Sequence, residues 1–147
     1  MTKNDAAAPS DDTAEHPARA AGRASREAAS GRRKDEWLAL FAEDACVEDP
    51  VGPSGFDPEG NGHRGLDAIS RFYDMTIATT ESLEFLIDDS LVCGNENVNI
   101  GTIRSTVAGA QIDAEGVFIY RVNDEGKITS LRAFWEVERA MKTLRKV

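Results

Sequence analysis

Apolar side chains recur every three or four residues as far as Ile77 and every second residue after Ser82, so the pattern predicts helices first and strands afterwards. From Ala18 to about Ala29 strong helix formers dominate, and Ala21, Ala24 and Ala28 give a thin face of methyl groups that docks with little burial. Gly31 closes that helix. A second, short helix follows, with Trp37, Leu40 and Phe41 on one side at i, i+3 and i+4. The next segment predicts a strand with Ala45, Val47 and Asp49 on one face and Asp44, Cys46 and Glu48 on the other. Residues 50–65, PVGPSGFDPEGNGHRG, hold three prolines and five glycines and predict a long irregular loop, of the kind that serves as a lid or binding segment. A third helix starts near Leu66, its apolar stripe marked by Leu66, Ile69, Phe72, Tyr73 and Ile77.

Beyond Ser82, Leu83, Phe85 and Ile87 alternate with Glu84 and Asp88. Val98 and Ile100 precede Gly101, after which Ile103, Ser105 and Val107 continue out of phase, as a bulge would allow. GVFIYRV, residues 116–122, is apolar on both faces and predicts a central, covered strand. Asn123, Asp124, Glu125 and Gly126 make a hairpin turn into KITSLRAFWEV, where Leu131, Ala133 and Trp135 alternate. Helices followed by an antiparallel meander predict an α+β domain, with the helices on one face of a curved sheet and one open mouth.

A length of 147 residues fits one domain that buries its own core. Residues 1–17 are acidic and lack large apolar side chains after Met1, so they read as a flexible tail; the basic ending over 138–147 reads as a solvated C-terminal tail. The formal net charge of -9 argues against nucleic acid or an anionic membrane surface as partner. Cys46 and Cys93 fit neither a metal site nor a disulfide framework, and no stretch is apolar enough for a membrane span or a signal peptide. A cytoplasmic protein is expected.

Asp49 is the residue that the apolar pattern leaves unexplained. It can cap the turn before Pro50, as strand-end aspartates do; inside an apolar cone it would instead have a raised pKa and act as a base. Tyr73, Phe118 and Tyr120 read as packing residues with a possible second use, Trp37 as core, and His63 as a solvated loop residue. Arg121 and Arg132 fit ion pairs on the outer sheet face.

Three runs carry a family resemblance: WLALFAEDACVEDPVG (37–52), GLDAISRFYD (65–74) and GVFIYRVNDEGKITSLRAFW (116–135). Together they resemble the ketosteroid isomerases, including mycobacterial steroid delta-isomerase-like proteins, within the nuclear-transport-factor-2-like (SnoaL-like) superfamily. The resemblance spans about 18–137 and implies a cone-shaped curved antiparallel β-sheet wrapped around three N-terminal helices. It implies a homodimer, a small hydrophobic ligand (steroid-like or polyketide-like), and chemistry without cofactor or metal. The family's Asp before Pro is the general base that moves a proton from C4 to C6 of a 3-keto steroid, and it maps onto Asp49; such an aspartate with an oxyanion hole is a worked example of acid–base tuning. The family's oxyanion tyrosine falls at or near Ser25 and its protonated aspartate at Phe118, so the oxyanion hole is non-standard. Tyr73, Tyr120 and Trp135 are the residues that could replace those donors, and Val47, Phe56, Phe118, Tyr120 and Trp135 are the expected pocket wall. Asp49 and Tyr73 are the expected catalytic pair of a steroid delta-isomerase-like enzyme. The resemblance admits, as alternatives to that leading reading, a SnoaL-like polyketide cyclase or a noncatalytic hydrophobic-ligand-binding or dimerisation module of the same fold.

Overall fold

The computed structural model describes residues 15–147; the tail expected over 1–17 lies almost wholly outside the described residues. Helix α1 (Pro17–Ser30) begins where the His16 ring accepts the Ala18 N–H at 3.1 Å and Pro17 takes the first helical position. Its buried stripe is Ala18, Ala21, Gly22, Ser25, Ala28 and Ala29. These small residues let the helix lie close against the sheet. A methyl added at Gly22 would come within 2.7 Å of Asn97 Oδ1 and 2.9 Å of the Tyr120 ring. The thin face docks more tightly than the methyl count alone predicts.

Helix α2 (Lys34–Ala39) ends before Phe41, which opens strand β1 (Phe41–Glu48). Trp37 is buried among Phe41, Phe72 and Tyr73, with ring centroids 4.7, 6.5 and 5.4 Å away. The glycine- and proline-rich loop returns through strand β2 (His63–Arg64), which pairs with Cys46 and Val47. The His63 ring packs 4.8 Å from Phe72 and its Nε2 is buried, so it is not the solvated loop histidine expected. Helix α3 (Leu66–Met75) buries Ile69, Phe72 and Tyr73.

Strands β3 (Ser82–Cys93), β4 (Glu96–Val107), β5 (Ala110–Val122) and β6 (Ile128–Phe134) form the antiparallel meander. Strand β1 joins β6 in parallel, so the sheet is mixed, in the order β2-β1-β6-β5-β4-β3. Its curvature has an identifiable line. Asp88 is the extra residue of a bulge on β3, facing the step from Ile100 to Gly101 on β4, and Gly101 pairs with Gly116 on β5. A methyl at Gly101 would strike the Leu86 carbonyl oxygen, and one at Gly116 the Phe134 carbonyl oxygen, so glycine is what allows the strands to bend there.

That bulge corrects the phase expected for β4. The inward row continues unbroken through Asn97, Asn99, Gly101, Ile103 and Ser105, and the shift lies on β3. Val98 and Ile100 therefore face outward, and Ile100 is exposed.

The segment 138–147 is not a solvated tail. Helix α4 (Val137–Met141) buries Ala140, and strand β7 (Arg145–Lys146) pairs with Ala110 and Gln111. Arg145 donates to Gln111 Oε1 at 2.7 Å and to Asp113 Oδ1 at 3.2 Å. On the outer face Arg132 pairs with Glu48 at 2.9 Å and Arg121 with Glu96 at 4.0 Å. Among the described residues no helix is long and apolar enough to cross a membrane.

Candidate active site

Between the concave sheet, α1 and the C-terminal end of α3 lies a cavity of about 460 Å³, within the range that holds drug-sized ligands. Its wall is mostly apolar, and its rim carries Phe56, Met75, Val137 and Met141, all exposed. Among the described residues three ionisable side chains reach it: Asp49, Arg26 and Tyr120.

Asp49 follows the last residue of β1. Glu48 pairs with Arg132, and the Val51 N–H donates to the Ala133 carbonyl at 2.9 Å, so the chain keeps alongside β6 through Pro50. Trp135, two residues beyond Ala133, reaches back from the same strand end. Its Nε1–H donates to Asp49 Oδ1 at 2.6 Å. Burial raises the Asp49 pKa from 3.8 to about 6, and the indole bond opposes that rise by favouring the carboxylate. Asp49 keeps some open surface because it borders the cavity, while protein surrounds it at longer range. A carboxyl held this way titrates at about 6, and its Oδ2 has no donor among the described residues.

Tyr120 extends from β5 toward α1 and is 4 % exposed. Burial raises the pKa of its phenol; the Arg26 guanidinium and the Ser25 hydroxyl act in the opposite direction. Ser25 is buried, and its Oγ accepts the Trp37 Nε1–H at 3.1 Å. That leaves the serine proton for the phenol oxygen and the phenol proton for a ligand. Arg26 Nη1 is buried with no hydrogen-bond acceptor among the described residues. Phe118 forms part of the floor, 4 % exposed, in the row that pairs it with Ala133 and Asn99.

The structure thus brings Asp49, Phe56, Phe118, Tyr120 and Trp135 to one cavity. Two expected site residues lie elsewhere. Val47 is fully buried core and does not reach the cavity. Tyr73 packs on the far side of Trp37, with Lys34 Nζ 5.7 Å from its ring centroid, and is not part of the cavity wall. As for Trp135, its N–H serves Asp49 rather than standing free for a ligand.

Sequence reading passed over Arg26 and treated Trp37 as core alone, yet both line the cavity. The signal for Arg26 was present: Gly22, Ser25, Arg26 and Ala29 fall at i, i+3, i+4 and i+7, so a charge sits on the face that α1 buries.

Comparison with known proteins agrees with this geometry. The model of the SnoaL-like domain matches residues 23–131. A steroid Delta-isomerase of Nocardioides simplex is 30% identical over 109 residues, covering 74% of this chain and 81% of that protein. The Delta 5-3-ketosteroid isomerase from Mycobacterium sp. is 32% identical with a TM-score of 0.81, covering 90% of this chain and 100% of the other. RV0760c from Mycobacterium tuberculosis, in complex with estradiol-17beta-hemisuccinate, is 30% identical with a TM-score of 0.80, covering 89% of this chain and 99% of the other. By the matched residues and the shared architecture, the chain belongs to the SnoaL-like family, on the fold of the ketosteroid isomerases.

Proposed function

We propose that this protein is a cofactor-independent, steroid delta-isomerase-like enzyme that moves a proton along an apolar keto substrate, with Asp49 as the general acid and base. In the first step the Asp49 carboxylate removes a proton from the carbon beside the carbonyl. The C–H electron pair becomes part of a new C=C bond, and the carbonyl π pair moves onto oxygen. In the second step the Asp49 carboxyl returns the proton to the far carbon of the dienolate, the carbonyl reforms, and the double bond has moved. Atoms and electrons balance without an oxidant or reductant.

Tyr120 replaces Tyr73 in this reading as the donor to the enolate oxygen, its hydroxyl oriented through Ser25 and Trp37. Trp135 holds Asp49 at the cavity wall. The observation that carries the reading is a buried carboxyl with a pKa of about 6 opening onto an apolar cavity, since a base is most effective with a pKa near the working pH. The relatives named for steroid isomerisation support a ketosteroid as first substrate to try.

The test follows the conjugated enone absorbance that appears when a β,γ-unsaturated 3-ketosteroid isomerises. Asp49→Asn is expected to slow turnover by about 10²–10⁴-fold, and Tyr120→Phe by about 10²–10³-fold, the usual cost of one oxyanion donor. Turnover retained within about twofold in Asp49→Asn would overturn the assignment. Phe118, where a second donor would stand, favours one other reading: the same cavity in a noncatalytic binding module. In that case wild type and Asp49→Asn both hold the steroid and neither turns it over. The outward apolar residues Leu86, Leu91, Ile100 and Phe134 support the further reading that the protein works as a homodimer through the back of its sheet.

A further inference from the structure

The cavity contains a charge that the proton transfer above does not need. Arg26 lies half-buried beside the buried stripe of α1 at the cavity wall, where its charge and a hydrogen bond both act on the Tyr120 phenol. Among the described residues it forms no ion pair, and its Nη1 is buried without an acceptor. The other arginines of α1 are partnered: Arg19 with Ser90, at 3.0 Å to its carbonyl and 3.3 Å to its hydroxyl, and Arg23 with Glu15 and Glu27. The guanidinium also bonds the Tyr120 hydroxyl, but its Nη1 is left unpaired against an apolar wall; that is costly, and an oxyanion offered by a ligand is the partner that removes the cost. A planar guanidinium suits a carboxylate better than a lone ketone, because the fork of donors matches two oxygens.

We infer that the ligand of this cavity is an apolar carboxylate, and that the substrate is a keto acid whose carboxylate meets Arg26 while its ketone meets Tyr120. The ligand half of the inference rests only on the cavity being the ligand site proposed above; the substrate class rests also on the turnover proposed there. The inference deepens that reading by naming a substrate class: neutral ketosteroids leave Arg26 Nη1 unsatisfied, whereas apolar keto acids satisfy it. Asp49 sets the limit on the preference, since its own negative charge opposes an anion in the same cavity and partly cancels the attraction of Arg26.

The experiment compares two isosteres, 2-naphthoate and 2-naphthamide, at pH 7, read by quenching of Trp37 and Trp135, which both border the cavity. The expected result is a preference for 2-naphthoate of about ten- to hundredfold, the range of a charged hydrogen bond. The preference should widen in Asp49→Asn, where the opposing charge is gone, and collapse to near unity in Arg26→Met with 2-naphthamide binding unchanged. Arg26→Lys, which keeps the charge, should retain part of the preference. Equal affinities for the two probes in both wild type and Asp49→Asn would overturn the inference without touching the base assignment. An equal loss of both probes in Arg26→Met would reduce Arg26 to a packing residue. Loss of turnover in Asp49→Asn with no anion preference would leave the enzyme reading standing and this one refuted.

Discussion

Replacing Trp135 by Phe removes one hydrogen bond and leaves most of the apolar wall in place, so it isolates what the indole N–H does for Asp49. That bond, 2.6 Å from Nε1 to Oδ1, stabilises the carboxylate and opposes the rise caused by burial. A hydrogen bond to a charged group contributes about 1.5–3 kcal/mol, which corresponds to about one to two pKa units. Asp49 stands at about 6 with the bond in place; without it the carboxyl should titrate at about 7–8. A proton-abstracting base works only when ionised, so kcat/KM should rise with pH through the Asp49 pKa, and the substitution should move that acid limb upward. At pH 7 the ionised fraction falls from ~0.9 to ~0.1–0.5, while each remaining carboxylate is a stronger base. The net loss at pH 7 is therefore small, and the rate near pH 9 should equal or exceed that of wild type. The assay is the pH profile of kcat/KM for steroid isomerisation, supported by a carboxyl titration of the free protein. An acid limb unmoved, or moved downward, would refute the role given to Trp135. A uniform loss at every pH would mean that the indole positions substrate or holds the strand end.

Two further outcomes follow from named features. Because the Asp49 pKa is higher folded, about 6, than its ordinary value of 3.8, the folded state binds the proton more tightly. Stability from this group is fully present below 3.8 and is lost as pH rises through about 6, a penalty of ~3 kcal/mol at pH 8. Asp49→Asn should thus raise the melting temperature at pH 8 and have little effect at pH 3.5; scanning calorimetry at the two pH values checks this, and equal effects at both would contradict the burial argument. On the back of the sheet, Ile100→Glu places a charge among Leu86, Leu91 and Phe134. Light scattering should show wild type at twice the chain mass of 16.0 kDa and the variant at that mass; a monomeric wild type at micromolar concentration would remove the homodimer.

The elements were legible in the sequence because period reports face, and face is what a strand or helix must satisfy. Ala45 and Val47 alternate into the core, and the same parity carries Asp49 to the cavity wall at the strand end. The parity rule failed on β4 because two inward positions are asparagines. Asn97 and Asn99 are fully buried and bond to one another at 2.9 Å, while Asn97 also donates to Ser90 Oγ at 2.9 Å. A hydrophobic pattern marks the apolar Val98 and Ile100, which face out, and passes over Asn97 and Asn99, whose amide N–H groups find acceptors inside while Asn99 Oδ1 is left without a partner among the described residues. The C-terminal strand β7 was invisible for a related reason: two residues pairing with a sheet edge are held by backbone and ion pairs, not by alternation.

The choice between tyrosines shows where periodicity stops. Tyr73 and Tyr120 are almost equally buried, and each lies on the face its element turns inward. What separates them is which neighbours each face meets. Tyr73 sits behind the Trp37 ring, among the aromatic side chains that fix α2 against α3. Tyr120 runs up beneath α1, where Gly22 leaves room for its ring and Ser25 and Arg26 lie within reach of its hydroxyl. A larger residue at position 22 would push that ring away from the helix, so a glycine that looks like a weak point in α1 governs where the phenol goes. The small residues of the first helix are therefore part of the site's construction. They leave a clearance in which the phenol of a sheet residue reaches the space beneath the helix.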